Sequence, residues 1–79
     1  MSTILITGGA GFIGSNLCEY FVEKKHQVVC LDNFSTGYRH NIAHLLNHPN
    51  FTLIEGDIRN LQDCKKAVTN ADYVLHQAA

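Results

Sequence analysis

Thr3-Ile4-Leu5-Ile6-Thr7-Gly8-Gly9-Ala10-Gly11-Phe12-Ile13-Gly14 is a short β-branched apolar run that stops at a glycine cluster and reopens as a periodic segment. Residues 3–7 suit a strand buried on both faces. From Phe12 to about Lys25, Ile13, Leu17 and Phe21 recur every fourth residue while Glu19 and Glu23 fall on the far side, the pattern of an amphipathic helix. Three spaced glycines alone are a weak signal. Between a buried strand and the start of a helix, Gly8, Gly11 and Gly14 carry a mechanism. Gly8 permits the tight turn off the strand, Gly11 lets the backbone approach a pyrophosphate, and Gly14 lets the helix pack closely. The amides near Phe12 and Ile13 then face the phosphates with the positive end of the helix dipole. This segment reads as a dinucleotide-binding loop.

Working outward, residues 27–31 form a second buried strand candidate, and Asp32 follows at its carboxyl end, 18 residues after Gly14. That is near the spacing of about 20 at which a carboxylate receives an adenosine ribose. Such a carboxylate favours NAD, because a 2′-phosphate would meet a negative charge and no Lys or Arg follows until Arg39. The alternative for Asp32 is a turn-starting residue after a strand. A polar turn over 33–37 leads to a short helix with Tyr38, Ile42, Leu45 and Leu46 on one side, which Pro49 ends. Residues 51–55 form a third strand, closed by Gly56-Asp57. Asn60 and Asp63 have the spacing of a capping box, and Leu61, Cys64 and Val68 then share one stripe of a third helix. Residues 71–76 form a fourth strand. Alternating strands and helices demand a parallel sheet with right-handed crossovers. The expectation is a doubly wound α/β fold of strand order 3-2-1-4, whose ligand crevice opens at the carboxyl ends of the first and fourth strands.

The chain has 79 residues, so it holds at most one folding unit, and its independent stability is expected to be low. With 6 Lys+Arg against 7 Asp+Glu, no basic stripe exists to neutralise a nucleic-acid backbone, so nucleic acid is not an expected partner. The apolar run at the N-terminus has no preceding positive charge and is too short for a signal peptide or membrane span. A cytoplasmic protein with no membrane association is expected. The cysteines, Cys18, Cys30 and Cys64, are odd in number, widely spaced and set in apolar stretches, which suits reduced core residues.

Four motifs in order, residues 7–15, 32–37, 56–58 and 76–79, together resemble the extended short-chain dehydrogenase/reductase family, in particular its NAD-dependent nucleotide-sugar epimerases and dehydratases. Segments 32–37 and 74–79 most resemble bacterial UDP-N-acetylglucosamine 4-epimerases of surface-polysaccharide synthesis, although relatives acting on UDP-glucose or UDP-glucuronate share nearly all of these residues. The resemblance implies a Rossmann domain of which residues 1–79 are the N-terminal part. It implies that Asp32 holds the adenosine ribose, that Asn33, Ser35, Thr36 and Gly37 line the adenosine-side phosphate and ribose, and that Asp57 and Ile58 border the adenine. It also implies that Gln77, Ala78 and Ala79 pass along the cofactor near its centre. The family's catalytic serine or threonine, its Tyr-x-x-x-Lys helix and its sugar domain lie beyond the fourth strand, so no catalytic residue is expected up to Ala79. The complete protein is then expected to be an isomerase that interconverts C4 epimers of a UDP-sugar through a 4-keto intermediate, working as a homodimer. Sugar-nucleotide dehydratases and decarboxylases begin with the same oxidation, and a non-catalytic NAD-binding module would also keep the glycine loop.

Several residues imitate sites. His40, His44 and His48 recur at every fourth position, but their stripe lies opposite Tyr38, Ile42 and Leu45 and has no Cys or carboxylate beside it, so no metal site is expected. Tyr20 and Lys24 have Tyr-x-x-x-Lys spacing on the helix that begins at the phosphate loop. Counted at about 1.5 Å per residue, Tyr20 lies roughly 9 Å beyond Gly14, away from the carboxyl edge, and is expected to be a partly buried packing residue. His76 is expected to pack or hydrogen-bond rather than serve as a base.

Overall fold

The structure, a computed structural model, describes residues 2–34 and 38–77. Ser35, Thr36, Gly37, Ala78 and Ala79, named above for the cofactor, lie outside the described residues. Four strands, β1 (Thr3–Thr7), β2 (Gln27–Asp32), β3 (Phe51–Glu55) and β4 (Tyr73–His76), form one parallel sheet of order β3-β2-β1-β4. Helix α1 (Phe12–Glu23) joins β1 to β2, and α2 (Leu61–Val68) joins β3 to β4. This is the expected doubly wound arrangement.

Side-chain alternation along buried strands divides the core. On one face, Ile4, Ile6, Val28, Cys30 and Phe51 pack with Cys18 and Val22 of α1 and with Ile42 and Leu45. On the other, Leu5 and Leu31 pack with Ala67 of α2. Asp32 follows Val28 and Cys30 by twos, and Glu55 follows Phe51 and Leu53, so both carboxylates stand on the α1 face. The register pairs them directly, Asp32 with Glu55.

Local differences from the sequence reading have identifiable causes. The stripe of α1 that meets the sheet is Gly14, Ser15, Cys18 and Val22, with Leu17 and Phe21 at its border. Ile13 is 63% exposed instead of buried, because Gly14 and Ser15 take the inner face at the start of the helix. The helix stops at Glu23 instead of Lys25. Lys25 takes a left-handed conformation (φ 68°), and the amides of Lys24, Lys25 and His26 return to the carbonyls of Tyr20, Val22 and Phe21.

The helix expected over 38–48 is instead two 3₁₀ turns, Arg39–Asn41 and Ala43–Leu45. Ile42 and Leu45 are buried, but Tyr38 and Leu46 are exposed. The Tyr38 amide and the Asn41 side chain are both tied to the Ala10 carbonyl, which holds this segment in a shape an α-helical ladder would not allow.

In α2 the expected stripe also shifts. Ala67 is buried, Cys64 is half-buried, and Leu61 and Val68 are exposed. Asn60 caps the helix as expected, its Oδ1 accepting from the Gln62 and Asp63 amides. Asp63 does not complete a capping box, because its carboxylate accepts from the Asp57 amide at 2.9 Å. The fourth strand begins at Tyr73, since the Ala71 amide still bonds back to the Val68 carbonyl.

Candidate cofactor site at the carboxyl edge

The loop from Gly8 to Gly14 starts with the turn the sequence demands. Gly8 has φ 71°, and its amide donates to the Leu31 carbonyl at 2.8 Å, fastening the end of β1 to β2. Gly11 caps α1 in an extended conformation and supplies no side chain to the first helical amides. Phe12 and Ile13, the first residues of the helix, are exposed at this edge. Amides that no side chain caps among the described residues, at the positive end of a twelve-residue helix, suit a pyrophosphate.

Asp32 is the centre of the site. It is buried, and its two oxygens are both engaged by backbone: Oδ2 accepts from the Ala10 amide at 2.8 Å and Oδ1 from the Phe34 amide at 2.7 Å. A carboxylate offers about four acceptor positions, so two remain for the vicinal hydroxyls of a ribose. The Phe34 bond is an Asx turn, so Asp32 does start a turn after its strand. Phe34 is held at φ 60°, outside the usual region for a bulky residue, and the Arg39 guanidinium lies 4.6 Å over its ring.

The Ala10 carbonyl faces the other way. It accepts from the Tyr38 amide at 3.1 Å and from Asn41 Nδ2 at 2.7 Å, so Ala10 is clamped at both its polar atoms. The sequence reading missed Asn41 because nothing in its spacing marks a residue 31 positions away as the loop's anchor.

Asp57 stands at the end of β3, where Asn33 Nδ2 reaches its Oδ2 at 3.4 Å. Asn33, a ribose-side candidate, and Asp57, an adenine-side candidate, are thus brought together. Arg59 pairs with Asp57 at 2.7 Å, and that hydrogen-bonded pairing holds the Asp57 carboxyl well below the usual carboxylate range. Ile58 packs at the edge of the α2-side core. Gln77 follows β4, its amide donating to the Thr7 carbonyl at 2.9 Å, and so lies across the switch point from Gly8. His76 hydrogen-bonds as expected, with Nδ1 2.7 Å from Thr7 Oγ1.

The imitating residues separate from this site. His40, His44 and His48 are all exposed, and no group of three metal-ligating side chains comes together among the described residues. A carboxylate does lie beside the stripe, contrary to the sequence reading: Glu19 of α1 is 3.7 Å from His44. Tyr20 is 52% exposed, more than a packing role suggests, with its ring edge-on to Phe21 and under the Lys24 ammonium. Cys18 and Cys30 are distant in sequence but adjacent in the fold, beneath the Gly9 carbonyl to which Cys18 Sγ donates at 3.8 Å. The hydrogen bond with Cys18, then burial, push the Cys30 thiol up. Among the described residues, no helix is long and apolar enough to cross a membrane.

A parallel sheet of order 3-2-1-4, with a glycine loop opening a helix at its switch point and a carboxylate closing the second strand, defines a Rossmann-type nucleotide-binding domain. Within that class the chain belongs to the NAD dependent epimerase/dehydratase family, which it matches over residues 4–79. It is 49% identical over 55 residues to UDP-glucuronic acid decarboxylase 1 of Danio rerio, a match covering 70% of this chain and 13% of that protein. Among solved structures it superposes on the UDP-Glc/GlcNAc 4-epimerase of Campylobacter jejuni with a TM-score of 0.88 at 36% identity, covering 100% of this chain and 25% of that one. The Bordetella bronchiseptica enzyme WbmH, solved in complex with NAD+, gives a TM-score of 0.90 at 38% identity, covering 100% and 26%. The chain thus spans about a quarter of the length of these solved relatives.

Proposed function

We propose that this chain holds NAD across the carboxyl edge of β1, β2 and β4, and that the protein expressed from the complete reading frame is a nucleotide-sugar 4-epimerase acting on a UDP-sugar of the glucose or N-acetylglucosamine type. The observation that carries the NAD reading is the Asp32 carboxylate, buried and locked to Ala10 and Phe34 at the mouth of a helix whose cap, Gly11, brings no side chain. In this reading the amides at Phe12 and Ile13 hold the pyrophosphate, with Gly8, Gly11 and Gly14 shaping their loop and the Gly11 amide closing the turn onto the Gly8 carbonyl. Asp32 takes the adenosine ribose, with Ser35, Thr36 and Gly37 beside it. Asn33 lines the adenosine-side phosphate and ribose with them, Asp57 and Ile58 border the adenine, and Gln77, Ala78 and Ala79 pass along the middle of the cofactor. When bound, NAD supplies reversible oxidation at the sugar carbon. The residues of this chain position it and contribute no acid or base. A homodimer and a cytoplasmic location belong to the same proposal.

The test is turnover of UDP-glucose and UDP-N-acetylglucosamine by the complete protein, with products read by NMR. The C4 epimer is expected, and no turnover is expected from the 79-residue chain with added NAD. The 49% identity to the decarboxylase favours a second reading. Carbon dioxide release from UDP-glucuronate, with UDP-glucose unchanged, would establish it in place of the first. Turnover by the short chain would show that catalytic groups lie within it.

Asp32→Ala is expected to weaken NAD and to narrow its advantage over NADP. Two amides lose their acceptor, at about 1–3 kcal/mol for each that stays dry, and that loss falls on both cofactors alike. The ratio of the two dissociation constants isolates the charge effect, and it should fall by roughly tenfold, about 1.4 kcal/mol. An unchanged ratio removes Asp32 from the ribose site.

A further inference from the structure

We propose that Glu55 is a second determinant of the preference for NAD over NADP, acting by withholding the Arg39 guanidinium from a 2′-phosphate. The inference rests on the NAD-binding reading above. Arg39 is the sole Lys or Arg between Lys25 and Arg59. Its surroundings place it beside the ribose position. Its chain neighbours Tyr38 and Asn41 hold the Ala10 carbonyl, whose own amide is held by Asp32. Its guanidinium lies 4.6 Å over Phe34, whose amide donates to the same Asp32 carboxylate. A 2′-phosphate arriving at Asp32 would therefore find Arg39 as its nearest cation, and guanidinium is the side chain best suited to grip phosphate.

That cation is already engaged. Arg39 is ion-paired to Glu55, the register partner of Asp32 on the neighbouring strand and on the same face of the sheet. In parallel strands such partners stand about 4.8 Å apart at the backbone, so the two carboxylates form a short acidic edge. Asp32 repels the 2′-phosphate directly, and Glu55 occupies the arginine that could compensate. Arg59, the next cation, is likewise paired, with Asp57. The Arg39–Glu55 pair is more than half exposed, and exposed pairs shift equilibria by only a few-fold. Glu55 is thus a modest filter layered on a stronger one, and its effect shows fully once Asp32 is neutral.

The experiment measures NAD and NADP dissociation constants in the protein expressed from the complete reading frame, for the parent, Asp32→Asn, Glu55→Gln, the double variant, and the double variant with Arg39→Ala. Both neutral replacements keep the size of the side chain they replace, and thermal melts verify folding. Glu55→Gln is expected to improve NADP relative to NAD by roughly 3- to 10-fold in the Asp32→Asn background. The gain should shrink as salt rises, and Arg39→Ala should remove most of it. If the ratio is unmoved by Glu55→Gln, or if the gain survives Arg39→Ala, Glu55 has no such role even though NAD still binds. If the parent binds no NAD at all, the reading of the site falls and this inference falls with it.

Discussion

Gly14→Ala should cost the protein both its loop and its cofactor, although the change adds one carbon to a helix. A Cβ at position 14 would lie 2.2 Å from the Gly8 carbonyl oxygen, 2.9 Å from Gly9 Cα and 3.0 Å from the Gly8 carbonyl carbon. All three are backbone atoms of the turn that the loop is built on, so no side chain can swing aside. Relief requires α1 to move off β1 or the Gly8 turn to open, and the Gly8 amide is fixed to the Leu31 carbonyl. Overpacking of this kind costs about 1–3 kcal/mol, and a clash with backbone belongs at the upper end. In a domain of 150–250 residues, 3 kcal/mol corresponds to a fall in Tm of roughly 6–12 °C. Differential scanning calorimetry and NAD titration should move together. A variant with parental Tm and parental affinity would show that α1 does not approach the loop as described.

Features set by neighbouring residues could be read from the sequence, and those set by remote contacts could not. The strand order, the extent of β1 and β3, and the carboxylate at the end of β2 were legible because each rests on a local rule: apolar runs of strand length, a glycine triplet between strand and helix, an acidic residue at a fixed offset. The error over 38–48 came from the same kind of rule applied without its tertiary competitor. Ile42 and Leu45 are buried as the spacing required, but the polar groups of Tyr38 and Asn41 serve Ala10, which is remote in sequence. The register of α1 was missed in a similar way. Periodicity favoured the bulkier residues Ile13, Leu17 and Phe21, whereas the close contact at Gly14 selects the small residues Gly14, Ser15 and Cys18 for the inner face.

Side-chain partnerships were the least legible part of the site. Asp63 had a capping-box spacing, yet its carboxylate goes to the Asp57 amide, steadying the turn that presents Asp57. Cys18 and Cys30 showed no pairing signal, because a helix and the strand after it bring together residues of no fixed spacing. Arg39 was visible as the first cation after Asp32, but its engagement by Glu55 depends on the register between β2 and β3. No pattern along one strand contains that information.

Gly11→Val is the complementary case, and its expected outcome is an intact fold that has lost its cofactor. Gly11 sits at φ −73°, ψ 173°, an extended conformation open to any residue, and a Cβ there meets only the Gly8 carbonyl oxygen, at 3.4 Å. Folding therefore makes little demand for glycine at this position, in contrast to Gly14 three residues later. Its smallness matters on the ligand side, where valine would stand before the first amides of α1 and hold the pyrophosphate away from them. Each charge-assisted hydrogen bond lost in this way is worth about 1.5–3 kcal/mol. That is roughly a 10- to 150-fold weakening of NAD per bond. Circular dichroism and Tm should stay near the parent while the NAD titration collapses, and NADP should weaken in proportion because both cofactors carry the same pyrophosphate. Normal NAD affinity in a folded Gly11→Val protein would mean that the phosphates do not rest on this loop. A large loss of Tm would instead assign Gly11 the same structural duty as Gly14, against the space seen around it.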